Sequence, residues 1–354
     1  MKAHSVSGVT SNTHFHFAHA LRGIAALWVV LFHADEGGHI PSLTAALPSV
    51  LTDVVFRAGH YGVPIFFALS GFVIAHSVRN VALTRGAYGR FILRRSIRLD
   101  PPYWASIVIV LAFAFIEAQV KHEPFMPPPP ATIIAHLFYV QGFVGRDTIN
   151  TVYWTLTFEV QFYLFFVGML ALAHRFERAR RAIWVMMFVL ALASAGRWLG
   201  WAPAALFITL WSAFFIGVLA YRALDDRTVR LPAIFLAAVM ILFGGTFQAF
   251  SAITAVLLWL TGSGRLPWQL RRFRGLGTIS YSLYLIHNPV SGAAGFVAHK
   301  LLGHGVLADV GTLLLIVTAS ISTAAILWWA IERPSHRLSR LVPLQKMTLR
   351  PSPA

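Results

Sequence analysis

Ionisable side chains interrupt otherwise apolar stretches at four places: Arg22, His33, Glu159 and His287. Charge in hydrocarbon is costly, and such groups usually face a bundle interior or a water-filled path, so each is a functional candidate. Arg22 and His33 are eleven residues apart. On a helix that is three turns plus about 20°, which places both on one face roughly 16 Å apart along the axis. A cation at one end and an imidazole base at the other suit an elongated ligand with phosphates at the cation. The same spacing also fits a bland pair, an Arg22 that snorkels to the inner interface and a His33 that caps the outer end of the helix.

Glu159 falls about a third of the way into an apolar stretch, at a depth similar to that of His33. A carboxylate there can hold a histidine in one tautomer and stabilise its charged form, or it can form a structural pair with an arginine. His287 precedes Asn288 and Pro289. The proline frees a backbone carbonyl that the histidine can bond. Together with Tyr163 and Tyr284, His287 is a candidate for substrate binding or for structural polar contacts. In FILRRSIRLDPPYW, Arg95 and Arg98 are three residues apart. Their forked guanidinium groups match phosphates, and they equally suit positive-inside anchoring. His14, His16 and His19 alternate with aromatic residues and read as an amphipathic lead rather than a metal tract; no metal site is expected.

The elements that position these groups are apolar helices. Hydrophobic residues make up 57% of the chain, charged residues 12%, and the mean hydropathy is +0.67. The apolar runs are continuous rather than alternating, which favours helices over a barrel. The expected fold is an all-α integral membrane protein of about ten transmembrane helices, near 17–34, 60–78, 101–118, 152–173, 183–199, 203–222, 231–247, 249–262, 276–298 and 307–331. The break between the seventh and eighth rests on Gly244, Gly245, Phe247 and Gln248. The formal charge of +16 does not indicate nucleic acid, because the arginines cluster in short segments between apolar spans. With the N-terminus inside, the outer loops hold only Arg57, Lys121, Arg146, Arg197 and Lys300. The remaining loop cations face the cytosol, so both termini are expected inside. The lead of residues 1–16 reads as polar and cytosolic, residues 17–332 as one membrane domain, and 333–354 as a basic cytosolic tail. The lead shows no cleavage pattern, so the first span reads as a retained anchor. Pro127 to Pro130 forms a stiff outer spacer, followed by an apolar piece too short to span. The chain has no cysteine, which excludes disulfides and a cysteine acyl carrier.

Six segments, in order, resemble the membrane-bound acyltransferase 3 family, whose members include exopolysaccharide and O-antigen O-acetyltransferases. They are LRGIAALWVVLFH, YGVPIFFALSGFVI, RRSIRLDPPYW, YWTLTFEVQFYL, ISYSLYLIHNP and IERP. The resemblance implies transfer of an acyl group, commonly acetyl, from cytosolic acyl-CoA as co-substrate to a hydroxyl of an extracytoplasmic or lipid-linked carbohydrate, in the bacterial inner membrane and without a permanently bound cofactor. It also implies that His33 is catalytic, that Glu159 is functional, and that Arg22, Arg95 and Arg98 bind the donor. Some relatives carry a secreted esterase-like domain after the membrane part. The tail here is too short for one, which leaves room for a separate periplasmic partner. The rival class is a transporter or flippase of a lipid-linked saccharide, which would share the spans and the buried polar stripe.

Overall fold

The computed structural model describes residues 7–81, 84–266 and 273–344. Most of the lead's first residues, Arg271 and Arg272, and Lys346 and Arg350 of the tail lie outside the described residues, as does the side chain of His14.

Helices follow the apolar runs. In chain order they are α1 (Ser7–Glu36), α2 (Pro41–Ala46), α3 (Ser49–Val55), α4 (Gly62–Val78), α5 (Arg85–Lys121), α6 (Pro130–Leu137) and α7 (Trp154–Arg175). Then come α8 (Arg180–Ala195), α9 (Trp211–Arg222), α10 (Arg230–Phe243), α11 (Gly245–Gly262), α12 (Arg274–Leu302), α13 (Val306–Leu327) and α14 (Arg333–Ser339). No strand occurs among the described residues. The protein is all-α, and its apolar helices make it a multi-pass membrane protein. Among the described residues, six helical stretches are long and apolar enough to cross a membrane: His16–Glu36, Ser49–Val78, Gly86–Lys121, Thr151–Arg175, Gly245–Gly262 and Val306–Ser339. Helices also cover the other expected spans, but α8, α9 and α10 have only 16, 12 and 14 residues.

The largest departure from the expected boundaries is at the start of α5. The arginine-rich segment expected as a loop belongs to α5, a continuous helix of 37 residues with Pro101 and Pro102 inside it. Arginine is a good helix former, and the helix runs on through both prolines. The anticipated break between α10 and α11 falls at Gly244, a few residues before the expected boundary, so Phe247 and Gln248 lie inside α11. Gly245 has φ +74°, a left-handed conformation that glycine adopts without a Cβ penalty.

The chain divides into two compact units. One comprises Met1–Phe66, Asp100–Thr157 and Leu260–Pro334; the other comprises Phe67–Leu99, Phe158–Trp259 and Ser335–Ala354. In the first, α1, α12 and α13 pack together. A Cβ on Gly277 of α12 would collide with the His19 carbonyl of α1, so the two backbones touch at a small-residue crossing, as membrane helices favour. In the second, Gly71 of α4 and Gly217 of α9 make a reciprocal crossing. A Cβ on either would overlap a carbonyl of the opposite helix, that of Phe214 or Ala68. Stacked Phe67 and Phe214, with ring centroids 4.2 Å apart, seal the same interface.

Candidate functional site

In the first unit the chemistry gathers around His33, near the end of α1. Its Nδ1 lies 2.7 Å from Glu36 Oε2. A carboxylate only accepts hydrogen bonds, so the network assigns the proton to Nδ1 and leaves the lone pair on Nε2. The His33 side chain is 12% exposed and that of Glu36 58%, so the imidazole is enclosed while its carboxylate partner is open. The Phe32 ring meets His33 edge-on at 4.9 Å and approaches His60 at 5.4 Å. His60 in turn packs on Tyr61 at 3.9 Å.

His287 lies beside His33, with ring centroids 5.0 Å apart, and is wholly buried. Its Nδ1 lies 3.1 Å from the Leu283 carbonyl and 2.9 Å from that of Tyr284. Both partners accept, so Nδ1 carries the proton. His287 therefore bonds backbone just before Pro289, though not the carbonyl that the proline frees. That proline has no N–H for the Leu285 carbonyl, and the Asn150 amide donates to it instead, at 3.3 Å. Asn288 reaches Thr151 Oγ1 at 2.9 Å. The Tyr284 hydroxyl contacts Thr155 Oγ1 at 2.9 Å and the Val152 carbonyl at 3.3 Å, which ties α12 to the start of α7. Glu332, in a five-residue π turn after α13, is 2% exposed. It accepts from the Ser282 N–H at 3.2 Å and the Ser282 hydroxyl at 2.6 Å. Arg22 sits half-buried on α1.

The second unit holds the other sequence candidates. The Glu159 carboxylate accepts from the Ser70 and Tyr163 hydroxyls. Tyr163 accepts from Arg95, whose Cζ lies 4.3 Å over the centre of the Tyr163 ring. Arg95 also stands 3.8 Å from Glu159, with side-chain exposures of 15% and 23%. One carboxylate oxygen therefore gathers two hydroxyls and a guanidinium, and Tyr163 links cation to anion. Arg98 Nε donates to His336 Nε2 of α14 at 3.1 Å. Asp100, in the first unit, accepts from the Tyr139 hydroxyl at 3.0 Å.

Within units, the structure brings His33 together with His287, and Glu159 with Arg95 and Tyr163. The carboxylate bonded to His33 is Glu36, which the sequence reading passed over although it lies one turn from His33. Ser70 and His336 were also missed. Ser70 had no signal beyond its place in the LSGF segment, and His336 none at all.

Comparison with known proteins bears on this arrangement. A family model described as an acyltransferase domain, that of the acyltransferase 3 family, matches residues 15–332. The chain is 26% identical to nodulation protein 10 of Rhizobium leguminosarum bv. viciae, covering 90% of this chain and 92% of the relative. It is 25% identical to a protein of Komagataeibacter xylinus provisionally named membrane-bound transacylase BcsY, over 84% of this chain and 78% of that one. A protein of Acidianus two-tailed virus, provisionally named acetyltransferase ORF330, is 23% identical over 75% of this chain and 80% of its own. No solved structure matches.

Proposed function

Because this chain belongs to the acyltransferase 3 family, and is therefore an acyltransferase, we propose that it moves an acyl group from a cytosolic acyl-CoA to a hydroxyl of an extracytoplasmic or lipid-linked carbohydrate. Acetyl is the simplest such group. The observation that carries this reading is the bond between His33 and Glu36. It sets the imidazole as a base, with Nδ1–H tethered and Nε2 ready to accept a proton.

In the proposed step the acceptor hydroxyl gives its proton to His33 Nε2 as its oxygen attacks the thioester carbonyl carbon. The carbon–sulfur bond breaks, and the imidazolium returns the proton to the departing thiolate. Glu36 steadies the transient charge on His33. Arg22, on the same helix face about 16 Å along, holds donor phosphates while the donor's arm lies along α1. For Arg95 and Arg98 the family resemblance implies a donor-binding role, with Tyr163 and Glu159 positioning Arg95 and His336 positioning Arg98. Phe32, His60 and Tyr61 offer an aromatic surface for the apolar face of a sugar.

The proposed setting is the bacterial inner membrane, with about ten spans, both termini in the cytosol, and residues 17–332 as the working domain between lead and tail. A separate periplasmic partner can complete delivery to the final glycan. The test is incubation of the purified full-length chain with radiolabelled acetyl-CoA, with and without a bacterial glycan extract. Label should pass to the glycan; absence of glycan label contradicts the reading.

A further inference from the structure

His287 holds more than a structural position requires. Its Nδ1–H is spent on the Leu283 and Tyr284 carbonyls, so Nε2 carries a lone pair. That atom is buried and has no hydrogen-bond partner among the described residues. One turn further along α12, the Ser291 hydroxyl is likewise buried and unpartnered there. Residues four apart share a helix face, so the two residues with orphaned polar atoms lie on one face of α12. Buried polar groups are nearly always bonded, and an exception in a native fold calls for an explanation. Pro289, between them, keeps this stretch from being an ordinary helical surface.

The neighbour of this pair is His33, its ring 5.0 Å from that of His287. Each imidazole is tethered through Nδ1 to its own helix. Each therefore has Nε2 as its uncommitted acceptor. Two neighbouring rings, each with an uncommitted acceptor, suit a partner with two donors. Neighbouring hydroxyls on a sugar ring supply that, and hydrogen bonds of about 2.8 Å to each nitrogen are compatible with rings this close.

We propose that His287, with Ser291, forms a subsite for a second hydroxyl of the acceptor, adjacent to the hydroxyl that His33 deprotonates, so that the enzyme selects acceptors bearing vicinal hydroxyls. This rests on the acyl-transfer reading above and adds the substrate class. His287 touches the acceptor but exchanges no proton with it; the bond it makes orients the reacting hydroxyl.

The test uses the full-length chain in lipid nanodiscs with radiolabelled acetyl-CoA and two simple alcohols, trans-1,2-cyclohexanediol and cyclohexanol. Wild type should acetylate the diol about tenfold more efficiently in kcat/KM, the upper end of the worth of one neutral hydrogen bond. In His287→Leu that ratio should collapse towards the twofold expected from counting hydroxyls. In His287→Gln, whose amide oxygen can stand in for Nε2, it should partly return, and Ser291→Ala should lower it less. A purely structural histidine would slow both alcohols equally. An unchanged ratio in His287→Leu, an equal loss for both alcohols, or no diol preference in wild type overturns the proposal. So does a wild type that labels a glycan extract but neither alcohol. Failure to label any acceptor, glycan included, would instead remove the acyl-transfer reading beneath it.

Discussion

His33 Nδ1 and Glu36 Oε2 are 2.7 Å apart across one turn of α1. The base and the group that orients it therefore come from a single helix, and their geometry does not depend on how distant elements assemble. Glu36→Leu should lower kcat by at least about tenfold, part of the 10²–10⁴-fold worth of a well-placed base, with the KM for acyl-CoA unchanged. Glu36→Gln keeps an accepting oxygen and should recover much of the loss. Equal kcat in wild type and Glu36→Leu would show that Glu36 does not position His33.

Arg95, Tyr163, Glu159 and Ser70 form one network, and it should act on donor binding. Loss of a charge-assisted contact costs about 1.5–3 kcal/mol, so Arg95→Ala should weaken acetyl-CoA affinity by about tenfold or more. Tyr163→Phe keeps the ring beneath the guanidinium but removes the linking hydroxyl, and should have a smaller effect of the same sign. Donor affinity measured by titration on purified protein checks both. Unchanged affinity in Arg95→Ala would remove Arg95 from the donor site.

The proposed orientation rests on the scarcity of cations in the proposed outer loops. The chain has no cysteine, so a single Pro128→Cys substitution gives a clean reporter. It should react with a membrane-impermeant maleimide from the outside of intact cells. Labelling only in inverted vesicles would reverse the topology.

His136 predicts a pH effect outside the spans. Its Nδ1 bonds the Thr132 carbonyl at 2.8 Å, and its Nε2 accepts from the Ile149 N–H at 3.1 Å. Both bonds together require the neutral ring. Burial holds its pKa below the ordinary 6.5, although the Thr132 bond opposes this. The unfolded segment therefore binds more protons below pH 6.5, so this contribution to stability is complete above that pH and declines as pH falls beneath it. Amide exchange at Ile149, corrected for intrinsic rate, should be faster at about pH 5.5 than at about pH 7.5. The difference should vanish in His136→Gln. Equal protection of wild type at both pH values would contradict the assignment.

Much of this was legible in the chain. Continuous apolar runs located the helices, and Gly244 and Gly245 marked the α10–α11 break, whereas the carbonyl that Pro289 frees is met by Asn150 and not by His287. The start of α5 was obscured because closely spaced arginines followed by Pro101 and Pro102 look like loop punctuation, yet they continue the helix. Short-range signals were also missed through attention to span depth: Glu159 drew notice as a carboxylate level with His33, while Glu36, three residues from it, did not. Pairings over long separations left no trace in spacing. Ser70 meets Glu159 across 89 residues, and Arg98 meets His336 across 238. Only the fold makes them neighbours.

The central claim is that His33 is the base of the transfer reaction, and turnover of His33→Ala and His33→Gln with saturating acetyl-CoA tests it most directly. Expression and donor affinity should stay close to wild type, because His33 lies at the end of α1 away from Arg22. Acyl transfer to a glycan extract should fall by about 10²–10⁴-fold in both variants. Turnover within a few-fold of wild type in either one would contradict the account and leave His33 a structural residue.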